Sequence, residues 1–376
     1  MLVVVAMSGG VDSAVAAGLL REQGHRVVGV TLQLWPEQDA QRSVRHGGCC
    51  GLGAVRDARA AADRLGIPHY VFEMREAFER AVIAEFANAY AAGRTPNPCI
   101  ACNEHIKFHA LLDKARLLGA EALATGHYAR IVRGPDGAPR LARAADPVKD
   151  QSYVLYPLRR GDLAWVRFPL GDLAKTEVRA RAHGFGLALA DKPDSQEICF
   201  VGPQGHAAVV GERVPEALRP GPMVDSTGRV VGTHRGIAHY TVGQRRGLGL
   251  GGPRPFYVVA VDAPRNTVVV GDVADLDAAA CTLVRPNWLV DAPPPCGTPV
   301  SAKVRSGPAL HPARLGPQDG DGLQVVFDPP LRAVTPGQAC VLYDGDVVLG
   351  GGEIGAVRQA AQPELRRTIQ VPLASS

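Results

Sequence analysis

A turn rich in serine and glycine near the start of the chain has the residue types that bind phosphate. Residues 8–13 read Ser-Gly-Gly-Val-Asp-Ser and follow the apolar run 2–7. An apolar run that ends at such a turn is typical of a buried parallel strand, and the apolar spacing of residues 11–23 predicts a helix. A turn between a strand and a helix N-terminus exposes backbone N–H groups to an anion. The sequence therefore predicts a phosphate site here.

This turn lacks the lysine of the common nucleoside-triphosphatase loop. It resembles instead the pyrophosphatase loop of enzymes that cleave ATP between the α and β phosphates and adenylate a substrate. An ordinary glycine-rich turn is the alternative interpretation. The match of all six residues, placed directly after the first strand, disfavours that alternative.

Two cysteines give the second chemical signal. Cys99 and Cys102 lie in a segment whose prolines predict a loop over residues 93–103, with a helix beginning near Glu104. A helix N-terminus stabilises a thiolate, so Cys102 is a candidate nucleophile. Half of a zinc site is the alternative, because the spacing C-x-x-C is common in zinc sites.

The remaining cysteines add one more candidate. Eight cysteines in a long chain do not predict a disulfide framework, and the adjacent Cys49 and Cys50 would chelate one tetrahedral zinc ion poorly. Cys199 lies in the polar stretch 191–200, which is expected to form a mobile loop, and such a cysteine is usually inert when considered alone. An ATP loop, a nucleophile and a distant third thiol nevertheless fit one chemistry together. ATP would activate an amide-like oxygen with AMP, and persulfide sulfur would displace the AMP.

The elements that must position these groups alternate between strand and helix over the first 200 residues, which predicts a doubly wound parallel sheet. Ligands bind such sheets at the carboxyl ends of the strands. Ser8, Leu32, Gly126 and His127 fall at or near such ends. The predicted strands are 2–7, 26–34, 68–72 and 121–125, and the predicted helices are 11–23, 54–65, 75–92 and 104–118.

The pattern changes near residue 201, where short β-rich runs replace helical periodicity. Runs at 256–261 and 267–270 precede others at 300–305, 323–327 and 339–343 that predict a small barrel. We therefore predict an α/β domain over 1–200, a central domain over 201–277, a C-terminal β-barrel over 278–360 and a tail over 361–376.

Charge and hydropathy set broad limits. The chain has 41 Lys and Arg against 37 Asp and Glu, and a net charge of +4 does not by itself indicate nucleic-acid binding. No apolar window approaches the length of a membrane span, and no basic segment precedes the first apolar run as in a signal peptide. These features predict a cytoplasmic protein.

Taken together, the motifs resemble those of the tRNA-specific 2-thiouridylases, the tRNA-uridine 2-sulfurtransferases that thiolate the wobble uridine. The likeness extends from about residue 3 to about residue 353. The resemblance implies that residues 1–200 form an ATP-binding catalytic domain of the pyrophosphatase-loop α/β type, that the small domain over 201–277 binds tRNA, and that a C-terminal β-barrel follows. It also implies ATP-dependent 2-thiolation of uridine 34 in tRNA. The matching motifs are residues 6–13, 48–50, 95–103, 124–128, 149–153, 195–200, 241–249 and 336–338.

The resemblance also implies a role for each matching residue. Cys199 would receive persulfide sulfur from a sulfur-relay protein or a cysteine desulfurase. Cys102 would attack this persulfide and leave a Cys102–Cys199 disulfide, and Mg²⁺ is expected to accompany ATP. ATP would be held by Ala6, Met7, Ser8, Gly9, Gly10, Val11, Asp12, Ser13, Leu32 and Gly126. The tRNA would be contacted by Asn97, Pro98, Cys99, His127, Lys149, Asp150, Gln151, Arg305, Ser306 and Gln338.

One residue departs from the family pattern. Well-known members carry an aspartate, credited with acid–base work, where this chain has Cys99, and a thiol has a different resting pKa. Cys99, Cys102 and Cys199 could instead hold an iron–sulfur cluster of the [4Fe-4S] type with one iron left open, as in related thiolases.

Alternative functions would use only some of these motifs. An adenylating amide ligase would use the ATP loop without a thiol pair. A metal-binding RNA module would bind tRNA without releasing pyrophosphate. A 4-thiouridine or 2-thiocytidine enzyme is a closer rival, and the central and C-terminal motifs disfavour it.

Overall fold

The computed structural model describes residues 1–34, 52–194, 198–251, 254–320 and 322–360. Its N-terminal region is built on a five-stranded sheet in which every pair of neighbouring strands is parallel. The order is β3–β2–β1–β4, followed by a short edge strand, which confirms the predicted doubly wound sheet. The strands are β1 (Leu2–Ala6), β2 (Arg26–Gln33), β3 (His69–Glu73), β4 (Ala122–Thr125) and the edge strand Val166–Arg167.

Helices cover both faces of this sheet. Val3 and Val5 of β1 pack with helices α1, α2 and α5 on one face, and Val4 packs with α3 and α4 on the other, because successive strand side chains alternate between faces. Both α3 and α4 have a π-helical middle. The helices are α1 (Val11–Glu22), α2 (Leu52–Leu65), α3 (Arg75–Phe78, Glu79–Ala84 and Glu85–Ala91), α4 (Pro98–Ala101, Cys102–Ala110 and Leu111–Leu117) and α5 (Lys175–Gly184).

A hairpin that the sequence reading did not assign follows β4. Strands β5 (Ala129–Arg133) and β6 (Pro139–Arg143) pair antiparallel with each other, and Ala142 pairs with Val347 of the C-terminal barrel. The hairpin therefore extends the barrel sheet although it lies within the N-terminal part of the chain.

A small central unit combines one helix with a four-stranded sheet. Its apolar residues pack against Phe86 and Tyr90 of α3, so the unit sits directly on the N-terminal domain. The helix is His206–Arg213, and the strands, in spatial order, are Tyr257–Asp262, Thr267–Gly271, Gly221–Val224 and Val230–His234.

The C-terminal strands close into the predicted β-barrel. The first strand pairs with both the last strand and the fourth, and its Cys281 faces the barrel core with Cys340. The strands are Asp277–Trp288, Pro299–Lys303, His311–Asp319, Gly322–Arg332, Ala339–Asp344 and Val347–Gln359.

Short 3-10 helices occupy several connections. They are Ser152–Leu155, Arg160–Asp162, Pro215–Leu218, Ile237–His239 and Val273–Leu276. Within the described residues, no helix is both long and apolar enough to cross a bilayer.

Candidate active site

The serine- and glycine-rich turn joins β1 to α1, as predicted. Gly9 has φ +69°, and a Cβ there would lie 2.3 Å from the backbone oxygen of Ala54. Gly126, at the end of β4, abuts the start of α1, where a Cβ would lie 2.5 Å from the backbone nitrogen of Ser13. Two glycines thus let the turn, α2 and the end of β4 approach closely, and the predicted residue Gly126 lies beside the turn.

Hydrogen bonds within the turn fix its shape. The Ser8 N–H donates to Ser13 Oγ at 3.1 Å, and Ser13 Oγ donates to the carbonyl oxygen of Gly10 at 3.1 Å. No side chain of this turn caps α1, since Gly10 at the cap position has none. The N-terminus of this 12-residue helix therefore offers backbone donors and the positive end of its dipole to an anion.

Two lysines outside the turn reach it, and the sequence reading missed both. Lys192 Nζ donates to the carbonyl oxygen of Gly9 at 2.9 Å and to Asp57 Oδ2 at 2.6 Å. Lys175, the first residue of α5, places its Nζ 2.6 Å from Asp12 Oδ1. The sequence did carry one signal for such lysines. The turn itself has no lysine, and a triphosphate bound there would need positive charge from other parts of the chain.

Asp194 joins Lys175 to a third lysine, Lys149. Its carboxylate lies 2.8 Å from Lys175 Nζ and 2.8 Å from Lys149 Nζ. Burial raises the pKa of Asp194, but hydrogen bonds from Lys149 and Lys175 outweigh it and hold the pKa below its usual value. The predicted tRNA-binding residue Lys149 is thereby brought near the phosphate turn through a carboxylate five residues before Cys199.

Tyr128 also faces the turn. Its hydroxyl donates to Asp12 Oδ1 at 2.9 Å. Burial, followed by the nearby charge of Asp12, raises the pKa of Tyr128 well above its usual value. The phenol therefore stays protonated and acts as a hydrogen-bond donor.

The two cysteines of the C-x-x-C motif lie in a helix rather than in the predicted loop. Helix α4 begins at Pro98, with Asn97 as its cap residue, and the Cys99 N–H donates to Asn97 Oδ1 at 3.1 Å. The prediction of a loop over 93–103 is therefore wrong from Pro98 onward. Cys99 lies in the first turn and Cys102 in the second, so the dipole argument made for Cys102 applies more directly to Cys99.

Cys102 and Cys199 approach the same apolar core. Both are half-buried and pack against the cluster that includes Phe78, Ile106 and Phe108. Phe200, next to Cys199, contacts the ring of Phe86 with ring centroids 5.0 Å apart. The Cys199 segment is thus anchored on α3, which lies beside α4.

His127 lies between the sheet and α4. Thr125 Oγ1 is 2.7 Å from His127 Nδ1, and the imidazole contacts the rings of Phe108 and Phe168. Burial, and then the charge of Lys107, lowers the pKa of His127 well below its usual value. His127 is therefore neutral at neutral pH, and any tRNA contact it makes uses an uncharged ring.

Of the neighbouring predicted tRNA residues, Asp150 faces inward, whereas Gln151 is exposed. Asp150 is buried, with its Oδ2 2.8 Å from Nζ of the buried Lys303 in the barrel. Gln151 Oε1 accepts a hydrogen bond from the backbone N–H of Tyr128 at 3.0 Å. In this conformation the Asp150 carboxylate lies in the junction between the N-terminal domain and the barrel rather than at the surface.

Arg305, Ser306 and Gln338 lie on the barrel, with Arg305 and Ser306 exposed. Arg305 and Gln338 line one cavity of about 230 Å³ that also includes residues of the other two domains. The cavity is lined by Thr95, Thr241, Val242, Gly243, Val304, Arg305, Ala333, Thr335 and Gln338. The structure therefore brings two predicted tRNA residues to a junction of all three domains.

An iron–sulfur cluster does not fit the arrangement of the thiols. Across the described ranges, no group of three His, Cys, Asp or Glu side chains could hold a metal ion. Cys99, Cys102 and Cys199 all fall within those ranges, so the cluster alternative is not supported. Cys49, Cys50 and residues 195–197 of the predicted motifs lie outside the described residues.

Three family models match successive parts of the chain. A tRNA methyl transferase HUP domain matches residues 1–203, a tRNA methyl transferase PRC-barrel domain matches 207–272, and an aminomethyltransferase beta-barrel domain matches 278–354. Together they cover most of the chain.

Curated relatives match nearly the whole length. The tRNA-specific 2-thiouridylase MnmA of Chloroflexus aurantiacus is 49% identical over 96% of this chain and 99% of that protein. The protein of the same name from Acetivibrio thermocellus is 46% identical over 94% and 98%, and that from Methylobacterium radiotolerans is 50% identical over 94% and 94%.

Among solved structures, a 4-thiouridine synthetase–RNA complex with bound ATP matches 57% of this chain and 50% of that chain. The identity is 17% and the TM-score is 0.32, too low to argue from.

Proposed function

This chain belongs to the tRNA-specific 2-thiouridylase family, and from that premise we propose which residues carry out each step of the reaction. The protein is a tRNA-uridine 2-sulfurtransferase that uses ATP to thiolate tRNA. Its identity of 46 to 50% to relatives of that name, over nearly their full length, carries this conclusion. We place the modified base at the wobble position, uridine 34. Such a base lies in a single-stranded loop and can be turned into a protein pocket.

ATP is bound at the turn between β1 and α1, by residues 6–13 together with Leu32 and Gly126. The exposed backbone donors at the start of α1 support this assignment. Lys175 and Lys192 supply the positive charge that the turn lacks, and Mg²⁺ accompanies the nucleotide. The uracil C2 oxygen attacks the α-phosphorus, the bond to the β-phosphate breaks, and pyrophosphate leaves with the electron pair.

Sulfur then arrives as a persulfide on Cys199, delivered by a sulfur-relay protein or a cysteine desulfurase. The Cys102 thiolate attacks the Cys199 sulfur, the persulfide S–S bond breaks, and hydrosulfide leaves. Hydrosulfide attacks C2 of the activated base and AMP departs. A Cys102–Cys199 disulfide remains, and a thiol reductant must reduce it before the next turnover. The packing of both cysteines on one apolar core supports this pairing.

Cys99 and its neighbours face the target base. Cys99 is exposed in the first turn of α4, where the helix dipole favours its thiolate and suits it to proton transfer. Arg305 and Ser306 are exposed on the barrel and contact the tRNA backbone. The remaining contacts are assigned to Asn97, Pro98, His127, Lys149 and Gln151, whereas the Asp150 carboxylate is bonded to Lys303 and the Gln338 amide to Thr95. The tRNA substrate also supports the predicted cytoplasmic location.

The test is thiolation of wobble-uridine tRNA with ATP and a persulfide donor. Cys102→Ser and Cys199→Ser should abolish 2-thiouridine formation and still release pyrophosphate, because adenylation precedes sulfur transfer. Cys296→Ser is the matched control, since Cys296 is exposed in the barrel domain far from the phosphate turn in sequence. Full thiolation by either of the first two variants would contradict the persulfide route. Amide formation without any thiol requirement would favour the ligase instead.

A further inference from the structure

We propose that the barrel residues Gly337 and Gln338 are positioning residues that fix the segment leading into the catalytic cysteines. This segment, residues 93–97, directly precedes helix α4, which carries Cys99 and Cys102. The inference depends on the proposed function in one respect, which is that Cys99 and Cys102 are catalytic. It assigns Gln338 a task different from the tRNA contact that its motif implies.

Both backbone polar groups of Thr95 are bonded to the barrel. The Thr95 N–H donates to the carbonyl oxygen of Pro336 at 2.8 Å. The side-chain amide of Gln338 donates from Nε2 to the carbonyl oxygen of Thr95 at 2.8 Å. A loop residue held by two hydrogen bonds of ordinary length has a defined position. The barrel therefore sets the path of the chain two residues before the cap residue Asn97.

Gly337 makes this close approach feasible. Its φ is +90°, and a Cβ would lie 2.7 Å from the Thr95 nitrogen and 2.9 Å from Arg94 Cβ. No other residue type fits here without displacing the segment. The Pro336-Gly337-Gln338 motif thus combines a glycine that admits the segment with an amide that holds it.

The barrel side of the contact is itself fixed. The Gly337 N–H donates to the carbonyl oxygen of Ile354 at 2.8 Å, and the Ile354 N–H donates to the carbonyl oxygen of Gln338 at 2.7 Å. Ile354 is buried in the last strand of the barrel. The residues that hold Thr95 therefore belong to a rigid sheet rather than to a free loop.

Two further contacts hold the same segment. Arg94 forms an ion pair with Glu353 of the barrel, and both side chains are only 20% exposed. Gly93 packs against the central unit, where a Cβ would lie 2.8 Å from the carbonyl oxygen of Val261. Parts of all three domains thus meet at the segment before α4. A tRNA bound on the barrel would be presented to Cys99 and Cys102 at a distance that these contacts define.

The experiment compares Gln338→Ala with Arg305→Ala, since both residues line the same cavity. Hydrogen–deuterium exchange reports Thr95 directly, because the neighbouring Pro96 has no N–H. Gln338→Ala should speed exchange of the Thr95 amide and lower kcat for thiolation about three- to tenfold, as expected for one lost hydrogen bond. The Kd for tRNA and the rate of pyrophosphate release should stay within about twofold of wild type, a margin below the effect of one typical hydrogen bond. Arg305→Ala should instead weaken tRNA binding and leave Thr95 exchange unchanged.

Gln338→Glu is the second variant. It keeps the size of the side chain but removes the donor, so it should reproduce the exchange and kcat effects of Gln338→Ala. Weaker tRNA binding with unchanged Thr95 exchange would overturn the proposal and return Gln338 to tRNA contact. Unchanged exchange and unchanged kcat would overturn it as well. If the wild-type protein fails to thiolate tRNA, the proposed function fails, and the exchange data still decide whether Gln338 holds the segment.

Discussion

Lys192 brings a positive charge to the phosphate turn from a position 183 residues further along the chain. Its Nζ already bonds to the backbone of Gly9, so a bound triphosphate would lie within its reach. We predict that Lys192→Ala raises the KM for ATP roughly ten- to a hundredfold, the range expected for losing one charge-assisted hydrogen bond. Lys114→Ala is the control, since Lys114 is an exposed lysine on α4 that lies over Phe72. A KM that does not change in Lys192→Ala would contradict the assignment.

The neutral state of His127 gives a pH prediction for stability. The folded-state pKa lies below the ordinary value of 6.5, mainly through burial, so the unfolded chain binds a proton that the folded chain excludes. Stability is therefore complete above pH 6.5 and falls as the pH decreases below it, by at most about 1.4 kcal/mol per pH unit for one histidine.

Urea unfolding at pH 5.5 and 7.5 measures this effect. We expect His127→Gln to reduce the loss of stability at the lower pH. A residual slope should remain from the other histidines whose pKa values burial lowers, which are His69, His109, His206, His239 and His311. An identical slope in the variant and the wild type would show that His127 takes up its proton without cost in the folded state.

At the scale of elements, local patterns predicted the parallel sheet well. The apolar run of β1 and the periodicity of α1 are properties of contiguous residues, and the structure places both within one residue of the predicted bounds. The barrel strands were predicted from short β-rich runs for the same reason. Those runs predicted a small barrel, but no local pattern identified that its first strand would pair with its last.

The start of α4 shows how a local rule can mislead. Prolines at positions 96 and 98 indicated a loop, but proline is well tolerated in the first turn of a helix, where its missing N–H costs nothing. Asn97 followed by Pro98 is a favourable helix start, with the asparagine accepting the Cys99 N–H. The cap residue Asn97 could thus have been predicted from the sequence, and that prediction would have placed both cysteines in the helix.

The hairpin β5–β6 was missed for a different reason. Its turn, Gly134-Pro135-Asp136-Gly137, is a recognisable signal between two β-rich runs. Its sheet partner, however, is Val347 in the barrel, more than two hundred residues away, and no local pattern reveals such pairing. The contacts of Lys192, Lys303 and Gln338 were hidden in the same way, because each joins distant parts of the chain.

At the scale of the whole molecule, a buried ion pair joins the N-terminal domain to the barrel. Lys303 and Asp150 have side chains only 1% and 0% exposed, and Ser152 links the carboxylate to the hydroxyl of Tyr343 in the barrel. Burial raises the pKa of Asp150, but the bonds from Lys303 outweigh it, so the pKa stays below the usual value and the carboxylate is charged. Lys303 therefore compensates a charge that the fold has already removed from water.

Removing one partner of this buried ion pair should lower the free energy of unfolding more than removing a partner of an exposed ion pair. We predict that Lys303→Met lowers the free energy of unfolding by about 3 kcal/mol, because Asp150 stays charged and buried and keeps only the more distant Arg143, 3.6 Å away. Adding Asp150→Asn should recover part of that loss, since the amide oxygen can still accept the N–H groups of Ala144 and Ser152.

The matched control is Asp346→Ala, which removes exposed ion pairs with Arg130 and Arg143 between the same two parts of the molecule. Asp346 lies 3.0 Å from Arg130 of β5 but is 58% exposed, so its loss should cost less than about 1 kcal/mol. Urea unfolding of the full chain measures all of these variants. If Lys303→Met and Asp346→Ala proved equally mild, the domain junction would depend on apolar packing alone, and Asp150 would be free to turn outward toward tRNA.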